Sequence, residues 1–238
     1  MLIDAGFTRA DALRIAANVL DSGKQLKTIY ISQADPDYYF GAETLKAFSP
    51  QAKVVATHAV LEKLSAKMSG KLAFWTPKMD ANAPSQPVLS AALTGNTLTV
   101  DGEKIEIYGP KGLLASRPYT WIPSLKAIVD NIGVFGGLHV WTADTQTVAE
   151  RSAWVAQLDE MAALKPTVVV PGHMRTGIPM DASALTYTKT YLQTFEKAAA
   201  DTATSAALIA RMKQAYPNAP EGLALDIGAK VNKSDMKW

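Results

Sequence analysis

Hydrophobic and polar positions follow two different periods along the chain, and each period predicts one kind of element. Short, nearly continuous apolar runs predict buried strands. Segments with an apolar residue every three or four positions predict amphipathic helices. The predicted strands include MLIDAG, LKTIYIS, AKVVAT and TVVVPGH, and the predicted helices include TRADALRIAANVLDSG, HAVLEKLSAKMSG and TVAERSAWVAQLDEMAALKP. Because the two kinds of segment are mixed along the chain, we expect a layered sheet core with helices outside.

Several element ends have clear local signals. Thr8 and Asp11 form a capping-box pair at the start of the first helix, and Gly23 follows its last turn. A second signal is Asp101-Gly102, which lies between two alternating runs and predicts a tight hairpin turn. These pairs predict where elements begin and end.

Three further regions have weaker patterns. Residues Leu72 to Ala91 are rich in proline and asparagine and predict an irregular surface loop. Helices are predicted from Asp181 to near Ala200 and from Thr204 to near Tyr216, with a polar tail from Ile227 onward. Without repeats or low-complexity linkers, residues 1–238 are predicted to form a single domain.

Composition narrows the function classes. The chain has 238 residues, 48% of them hydrophobic and 19% charged, with a formal charge of only +2. We therefore expect a soluble protein whose main partner is a small molecule, and neither a nucleic acid nor a membrane. It has no cysteine, which excludes thiolate zinc sites and cysteine nucleophiles, and only three histidines. The start lacks a signal-peptide pattern but already reads as a strand within a fold, so the natural start is expected upstream. Both the cytoplasm and the periplasm remain compatible.

Polar loops follow three of the predicted strands, at Gln33–Tyr38, Gly109–Gly112 and Gly172–His173. The first belongs to the stretch ISQADPDYYFGAE, in which an apolar run enters a proline turn with two aspartates and an aromatic cluster leads into a helix. We expect Asp37 to cap that helix. In layered α/β folds, loops at strand ends are where sites are built.

The order of these motifs resembles the metallo-β-lactamase superfamily. SQADPDYYFG is similar to that family's signature loop, HxHxDH, in its length, its Pro-Asp pair, its YFG ending and the elements on both sides. Trp121–Val129, His139–Asp144 and Val169–His173 resemble later family segments in the same order. The resemblance implies an α/β (α+β) four-layer αββα sandwich. Family members usually begin with further strands, which this chain would lack, and the exposed sheet edge could then be covered by a homodimer.

The resemblance implies a changed chemistry at the loop. Family members commonly hold two metals with four histidines and two aspartates, and a bridging hydroxide attacks the substrate. In this chain Gln33 and Asp35 stand where the first two histidines would be, Asp37 matches the family aspartate, and Tyr38 replaces the last histidine.

The later ligand positions are changed as well. Lys111 or Gly112 falls where a further histidine would be. The position of a bridging aspartate falls near Ile132, and a shift of two residues would bring Asp130 there. His173 is kept. An oxygen-rich set of Gln33, Asp35 and Asp37 with His173 would suit at most one divalent ion such as magnesium, calcium or manganese. Tightly bound dinuclear zinc is not expected, and a lysine entering the pocket could stand in for the metal charge.

Two functions follow from the resemblance. The first is a divergent hydrolase of a small ester-, lactone- or lactam-like substrate, with Asp37 and His173 at its centre and Tyr38 or Lys111 polarising the carbonyl. The alternative is a non-catalytic ligand-binding or assembly protein that keeps the fold and has lost the metals.

Each of these residues also has a structural interpretation. Asp35 and Asp37 are typical of a turn and a helix cap, Tyr38 of a core aromatic, and Lys111 of an ordinary turn. His173 is also compatible with a hydrogen-bonded loop histidine. We expect His139 to pack in the core or to support the site together with Asp144, and His58 to be structural or exposed.

Overall fold

The computed structural model describes all 238 residues, which form two compact units, residues 1–118 and 119–238. The single domain expected from the sequence remains a prediction. The strands of the first unit are β1 (Leu2–Ile3), β2 (Thr28–Ile31), β3 (Lys53–Ala56), β4 (Ala91–Ala92), β5 (Thr97–Val100) and β6 (Glu103–Tyr108). Its helices are α1 (Arg9–Asp21), α2 (Pro36–Tyr39), α3 (Ala42–Phe48) and α4 (His58–Met79), followed by a 3₁₀ turn at Asp80–Asn82.

The first unit contains a parallel sheet in the order β1-β2-β3-β4. Thr28 pairs with Lys53 and Ile31 with Ala56, so β2 and β3 are in register over their whole length. The apolar run predicted for β2 is buried, with Ile29, Tyr30 and Ile31 fully covered. Since all four strands are parallel, their carboxyl ends lie at one edge of the sheet.

Local signals in the first unit are confirmed. The Thr8 side chain accepts from the Asp11 amide at 3.0 Å and the Asp11 carboxylate accepts from the Thr8 amide, which is a complete capping box. The hairpin of β5 and β6 turns at Asp101 and Gly102, which have φ angles of 51° and 89°.

The loop predicted from Leu72 onward is partly wrong, because α4 continues to Met79. Leu72 and Ala73 are good helix formers, and the helix ends only at Asp80, whose φ is 48°. Pro77 lies in the last turn of the helix, so the amide hydrogen bond that it removes is one of the last in the helix. Packing of Trp75 against Phe7, with ring centroids 5.1 Å apart, holds this final part of the helix in place.

The second unit combines short strands with long helices. Its strands are β7 (Tyr119–Ile122), β8 (Ala127–Val129), β9 (Phe135–Gly136), β10 (Val168–Val170) and β11 (His173–Met174). Its helices are α5 (Val148–Ala163), α6 (Ser183–Asp201), α7 (Ser205–Ala215) and α8 (Leu223–Asn232). β7 and β8 are antiparallel, β8 and β10 are parallel, and β9 pairs in parallel with β11.

The predicted polar tail is wrong over its first half, since Ile227 to Asn232 belong to α8. Ile227 and Val231 lie one turn apart and pack with Ala143 in an apolar cluster that also includes Trp141 and Trp238. The segment contains several lysines, and its apolar residues alternate with other residues. It was therefore interpreted as a polar tail and not as a helix with a buried face. None of the helices in either unit is both long and apolar enough to cross a bilayer.

Candidate active site

The loop after β2 is held by the turn that follows β1. The backbone amide and hydroxyl of Ser32 each donate to the Asp4 carboxylate at 2.7 Å. A second link is the hydrogen bond from the Ala5 amide to the Tyr38 carbonyl at 2.8 Å. Asp4 has a φ of 63°, a left-handed conformation that aspartate tolerates better than most residues. These bonds fix the start and end of the loop to a neighbouring strand.

Glycine is required where this loop enters α3. A Cβ atom on Gly41 would lie 2.1 Å from the Ala5 carbonyl oxygen and 2.9 Å from the Ala12 side chain. The Gly41 amide donates to the Gly6 carbonyl at 3.0 Å. The YFG ending of the sequence motif therefore has a packing reason, because only glycine permits this approach of two backbones.

Within the loop, Gln33, Asp35 and Lys71 form a buried polar network. The Gln33 Nε2 donates to Asp35 Oδ2 at 3.1 Å, and the Asp35 amide donates back to Gln33 Oε1. The Lys71 ammonium lies 3.2 Å from Asp35 Oδ1, and the two side chains are only 10% and 11% exposed. The Asp35 carboxylate is thus bonded to an amide on one oxygen and to an ammonium on the other.

Helix α4 brings Lys71 to this place by crossing the sheet edge. The helix starts at His58, directly after β3. Lys71 reaches Asp35, which follows β2, and one turn later Trp75 meets Phe7, which follows β1. Since the strands lie in the order β1-β2-β3, the helix passes over the carboxyl ends of three neighbouring strands in turn.

Lys71 is the buried charged residue of this network that sequence reasoning missed, although a signal was present. Val60, Leu64 and Lys71 are the buried positions of α4, spaced by four and seven residues. A lysine at an apolar-face position of a helix is rarely fully buried unless it is paired. The lysine foreseen for the pocket was Lys111, but Lys111 is exposed in the turn after β6.

The other predicted loop residues have different environments. Asp37 is half-buried in α2, while Asp35 occupies the N-cap, so the prediction that Asp37 caps this helix is wrong. Tyr38 is 4% exposed. Its neighbour Tyr39 is completely buried and its hydroxyl has no hydrogen-bond partner. Burial, and then the charge of Asp35, raise the pKa of Tyr39 far above its usual value.

These residues do not fit the metal centre that the fold would imply. The two oxygen donors predicted at the first-metal position, Gln33 and Asp35, are bonded to each other, and Asp35 also faces an ammonium ion. A cation beside Lys71 would be repelled. Nowhere in the chain do three or more histidine, aspartate or glutamate side chains group as a metal would require.

In the second unit, the turn that follows β8 contacts the turn that follows β10. The Asp130 amide donates to the Val170 carbonyl at 3.1 Å, and Asp130 Oδ1 accepts from the Asn131 amide at 2.7 Å. A Cβ atom on Gly172 would lie 2.0 Å from the Asn131 carbonyl oxygen. The turn that carries His173 is therefore packed backbone to backbone against the turn that carries Asp130.

His173 lies at the start of β11, half-buried, with its ring centroid 5.2 Å from that of Phe135. The structure thus places His173 beside the Asp130 turn within the second unit, and it places Gln33 and Asp35 with Lys71 within the first. The catalytic and metal-binding roles assigned to Asp37, Tyr38, His173 and Lys111 remain predictions.

His139 is buried and hydrogen-bonded through Nδ1 to the Tyr191 hydroxyl at 3.0 Å. Burial, and then the nearby positive charge of Lys213, lower the pKa of His139. Its expected neighbour Asp144 instead accepts from the indoles of Trp141 and Trp238, at 2.8 and 3.2 Å. We interpret His139 as a core histidine.

Comparison with known proteins identifies the fold. No family model and no curated protein matches the chain. Among solved structures, a metallo-β-lactamase family protein of Thermus thermophilus matches with a TM-score of 0.66 and 15% identity, covering 97% of this chain and 81% of that one. The DIM-1 metallo-β-lactamase matches with a TM-score of 0.58 and 19% identity, covering 80% of each chain. A metallo-β-lactamase of Pontibacter korlensis matches with a TM-score of 0.54 and 19% identity, again over 80% of each.

At these identities the likeness shows the fold. The chain has the mixed α/β fold of the metallo-β-lactamases, as its motif order predicted.

Proposed function

We propose that the protein is a metal-independent hydrolase of a small ester-, lactone- or lactam-like substrate, with its reactive centre at the β2–α2 loop. The observation that carries this proposal is the buried Lys71–Asp35 pair. Burying two charges costs several kcal/mol per ion before their attraction is counted, and an apolar pair would serve the fold equally well. Charged groups kept at such a cost cluster at functional sites.

In this proposal Lys71 supplies the positive charge that a metal supplies in metallo-β-lactamases. Asp35 and Gln33 position the ammonium, and its N–H donors stabilise the oxyanion that forms on the substrate carbonyl. Asp37, half-buried in α2, accepts a proton from water. The water oxygen bonds to the carbonyl carbon, the bond to the leaving group breaks, and Asp37 returns the proton to the leaving oxygen or nitrogen.

The reaction class is proposed by analogy with other proteins of this fold, so it must be tested by measuring hydrolysis directly. We would measure hydrolysis of p-nitrophenyl esters, simple lactones and a chromogenic cephalosporin, with and without EDTA. The expected result is turnover that EDTA does not change and that Asp37→Asn lowers by about 10²–10⁴. Lys111→Gln, on the exposed turn, is the matched control for Lys71→Gln. Turnover lost with EDTA and restored by zinc would contradict the metal-independent mechanism.

A second candidate is a non-catalytic protein that binds a small molecule at the same place. It is favoured by the mutual bonding of Gln33, Asp35 and Lys71, because the groups that could polarise a substrate already have partners. No turnover on the whole panel, together with saturable binding of an intact ester or lactam that Lys71→Gln abolishes, would support this candidate. The predicted homodimer is a separate proposal, tested by light scattering.

A further inference from the structure

The second unit contains a pocket that none of the predicted site residues lines. It lies between the turn after β9, the segment after β11, the start of α6 and the end of α7, and its volume is about 410 Å³. The residues that line it include Gly136, Gly137, Arg175, Ile178, Tyr187 and Tyr216. Small-molecule sites commonly have volumes of roughly 300–1,000 Å³ and mostly apolar walls with a few polar groups.

Two tyrosine rings form one wall of this pocket. Tyr187 and Tyr216 lie with centroids 5.8 Å apart and ring planes at 79°. The Tyr187 hydroxyl donates to the Leu138 carbonyl at 2.8 Å, and the Tyr216 hydroxyl donates to Thr194 at 3.3 Å. Because both hydroxyls are engaged, these residues offer a ligand mainly the faces and edges of their rings. Such an arrangement suits a third aromatic ring.

Another part of the lining is shaped by the Gly136-Gly137 pair. Cβ atoms at these positions would lie 3.0 Å from the side chains of Met174 and Ile178, respectively. Gly137 also has a φ of 69°. The glycines let Ile178 lie directly on the backbone, so this wall is apolar and closely packed.

The pocket has one cationic side chain, Arg175. Its Nη1 donates to the Asn218 carbonyl at 3.1 Å, which orients the guanidinium, and the other N–H groups remain for a ligand. The carboxylate nearest the start of α6, Asp181, accepts from the Ser183 amide at 2.8 Å and lies outside the pocket lining. The electrostatic character of the pocket is therefore positive.

We propose that this pocket binds a small monocarboxylate with an aromatic ring, such as an arylalkanoate. The ring packs against Tyr187 and Tyr216, and the carboxylate accepts charge-assisted hydrogen bonds from Arg175. A planar fork of donors suits a carboxylate, and a single guanidinium matches a single negative charge. This site is independent of the reaction proposed for the β2–α2 loop.

The test is calorimetric titration with 3-phenylpropionate, beside its uncharged amide as the matched ligand. The wild-type protein is expected to bind the acid stoichiometrically and the amide about tenfold more weakly, a difference of about 1.4 kcal/mol. Arg175→Gln should weaken the acid by about the same factor and leave the amide unchanged. Arg211→Gln, at a surface ion pair on α7, is the control arginine and should leave both affinities unchanged.

A filling variant makes the location falsifiable. Ala215 is exposed on α7 and lines the pocket, so Ala215→Phe should fold normally and abolish binding of both ligands. Circular dichroism checks the fold of each variant. No binding of the acid by the wild-type protein, or binding that survives both Arg175→Gln and Ala215→Phe, would overturn the proposal.

Discussion

The two units differ in how they hold the turns at the carboxyl ends of their parallel strands. Each has a pair of parallel strands whose carboxyl ends lead into turns, β2 with β3 and β8 with β10. In the first unit the turn after β2 contains a buried ion pair, Asp35 with Lys71. In the second unit the turns after β8 and β10 pack through their backbones, with Gly172 against Asn131. The edge in the first unit is held by an ion pair, and the edge in the second unit is held by backbone packing that only a glycine permits.

This difference indicates which contacts hold each edge in place. The frame of the first edge depends on the Asp4–Ser32 hydrogen bonds and on Gly41, neither of which needs a metal. The polar side chains inside that frame are then free to change, provided that each charge finds a partner. At the second edge His173 directly follows Gly172, so the close packing of that glycine also fixes the position of the histidine.

The largest expected effect comes from breaking the ion pair. Lys71→Met should lower the free energy of unfolding by about 3–5 kcal/mol, because the Asp35 carboxylate remains buried without its cation. Adding Asp35→Leu should restore most of the loss, since an apolar pair avoids the desolvation of both charges. Urea unfolding measures each variant, with Lys111→Met as the exposed control, expected within about 0.5 kcal/mol of wild type. If Lys71→Met and Lys111→Met lowered the free energy of unfolding equally, the buried ion pair would not be what organises the first edge.

Gly172→Ala should have the next largest effect, a loss of about 2–3 kcal/mol, because the new methyl group overlaps the Asn131 backbone. Gly222→Ala is the matched control in the same unit. Gly222 has an extended φ of 178° and nothing within 4 Å of its added Cβ, so its change should be small. Similar unfolding midpoints for both alanine variants would show that the two turns are not held by close backbone packing.

The smallest effect concerns His139 and acid. Since its folded pKa lies below the ordinary value of about 6.5, the folded state binds fewer protons there than the unfolded state. Stability from this residue is therefore complete above about pH 6.5 and is lost as the pH falls. Between about pH 7 and pH 5, the free energy of unfolding of His139→Gln should therefore fall less than that of the wild type. Parallel curves for the two proteins would mean that His139 does not contribute to acid sensitivity.

The parts of the fold that were predictable are those fixed by neighbouring residues. Thr8 with Asp11 and Asp101 with Gly102 act within one turn, so the pattern alone identified the helix start and the hairpin. The extension of α4 and the existence of α8 depend on contacts with distant residues such as Phe7 and Ala143. Such long-range contacts are not visible in the local sequence pattern.

In the candidate site, too, the features set by neighbouring residues were predicted and those set by distant residues were missed. The motif order located the loop, because strand, proline turn and glycine are adjacent in sequence. The partner of Asp35 was missed, because Lys71 reaches it across a helix that spans the sheet edge. Local motifs indicated Lys111 for that role, and only its position on the buried face of α4 distinguishes Lys71.

The most direct test of the central claim, that an ammonium takes the place of a metal at the β2–α2 loop, is metal analysis of protein purified in zinc and manganese without chelators. We predict far less than one metal ion per chain for the wild-type protein, with an unfolding midpoint that EDTA leaves unchanged. The contradictory result would be one tightly held ion per chain that EDTA removes, that Asp35→Asn abolishes, and whose loss lowers the midpoint.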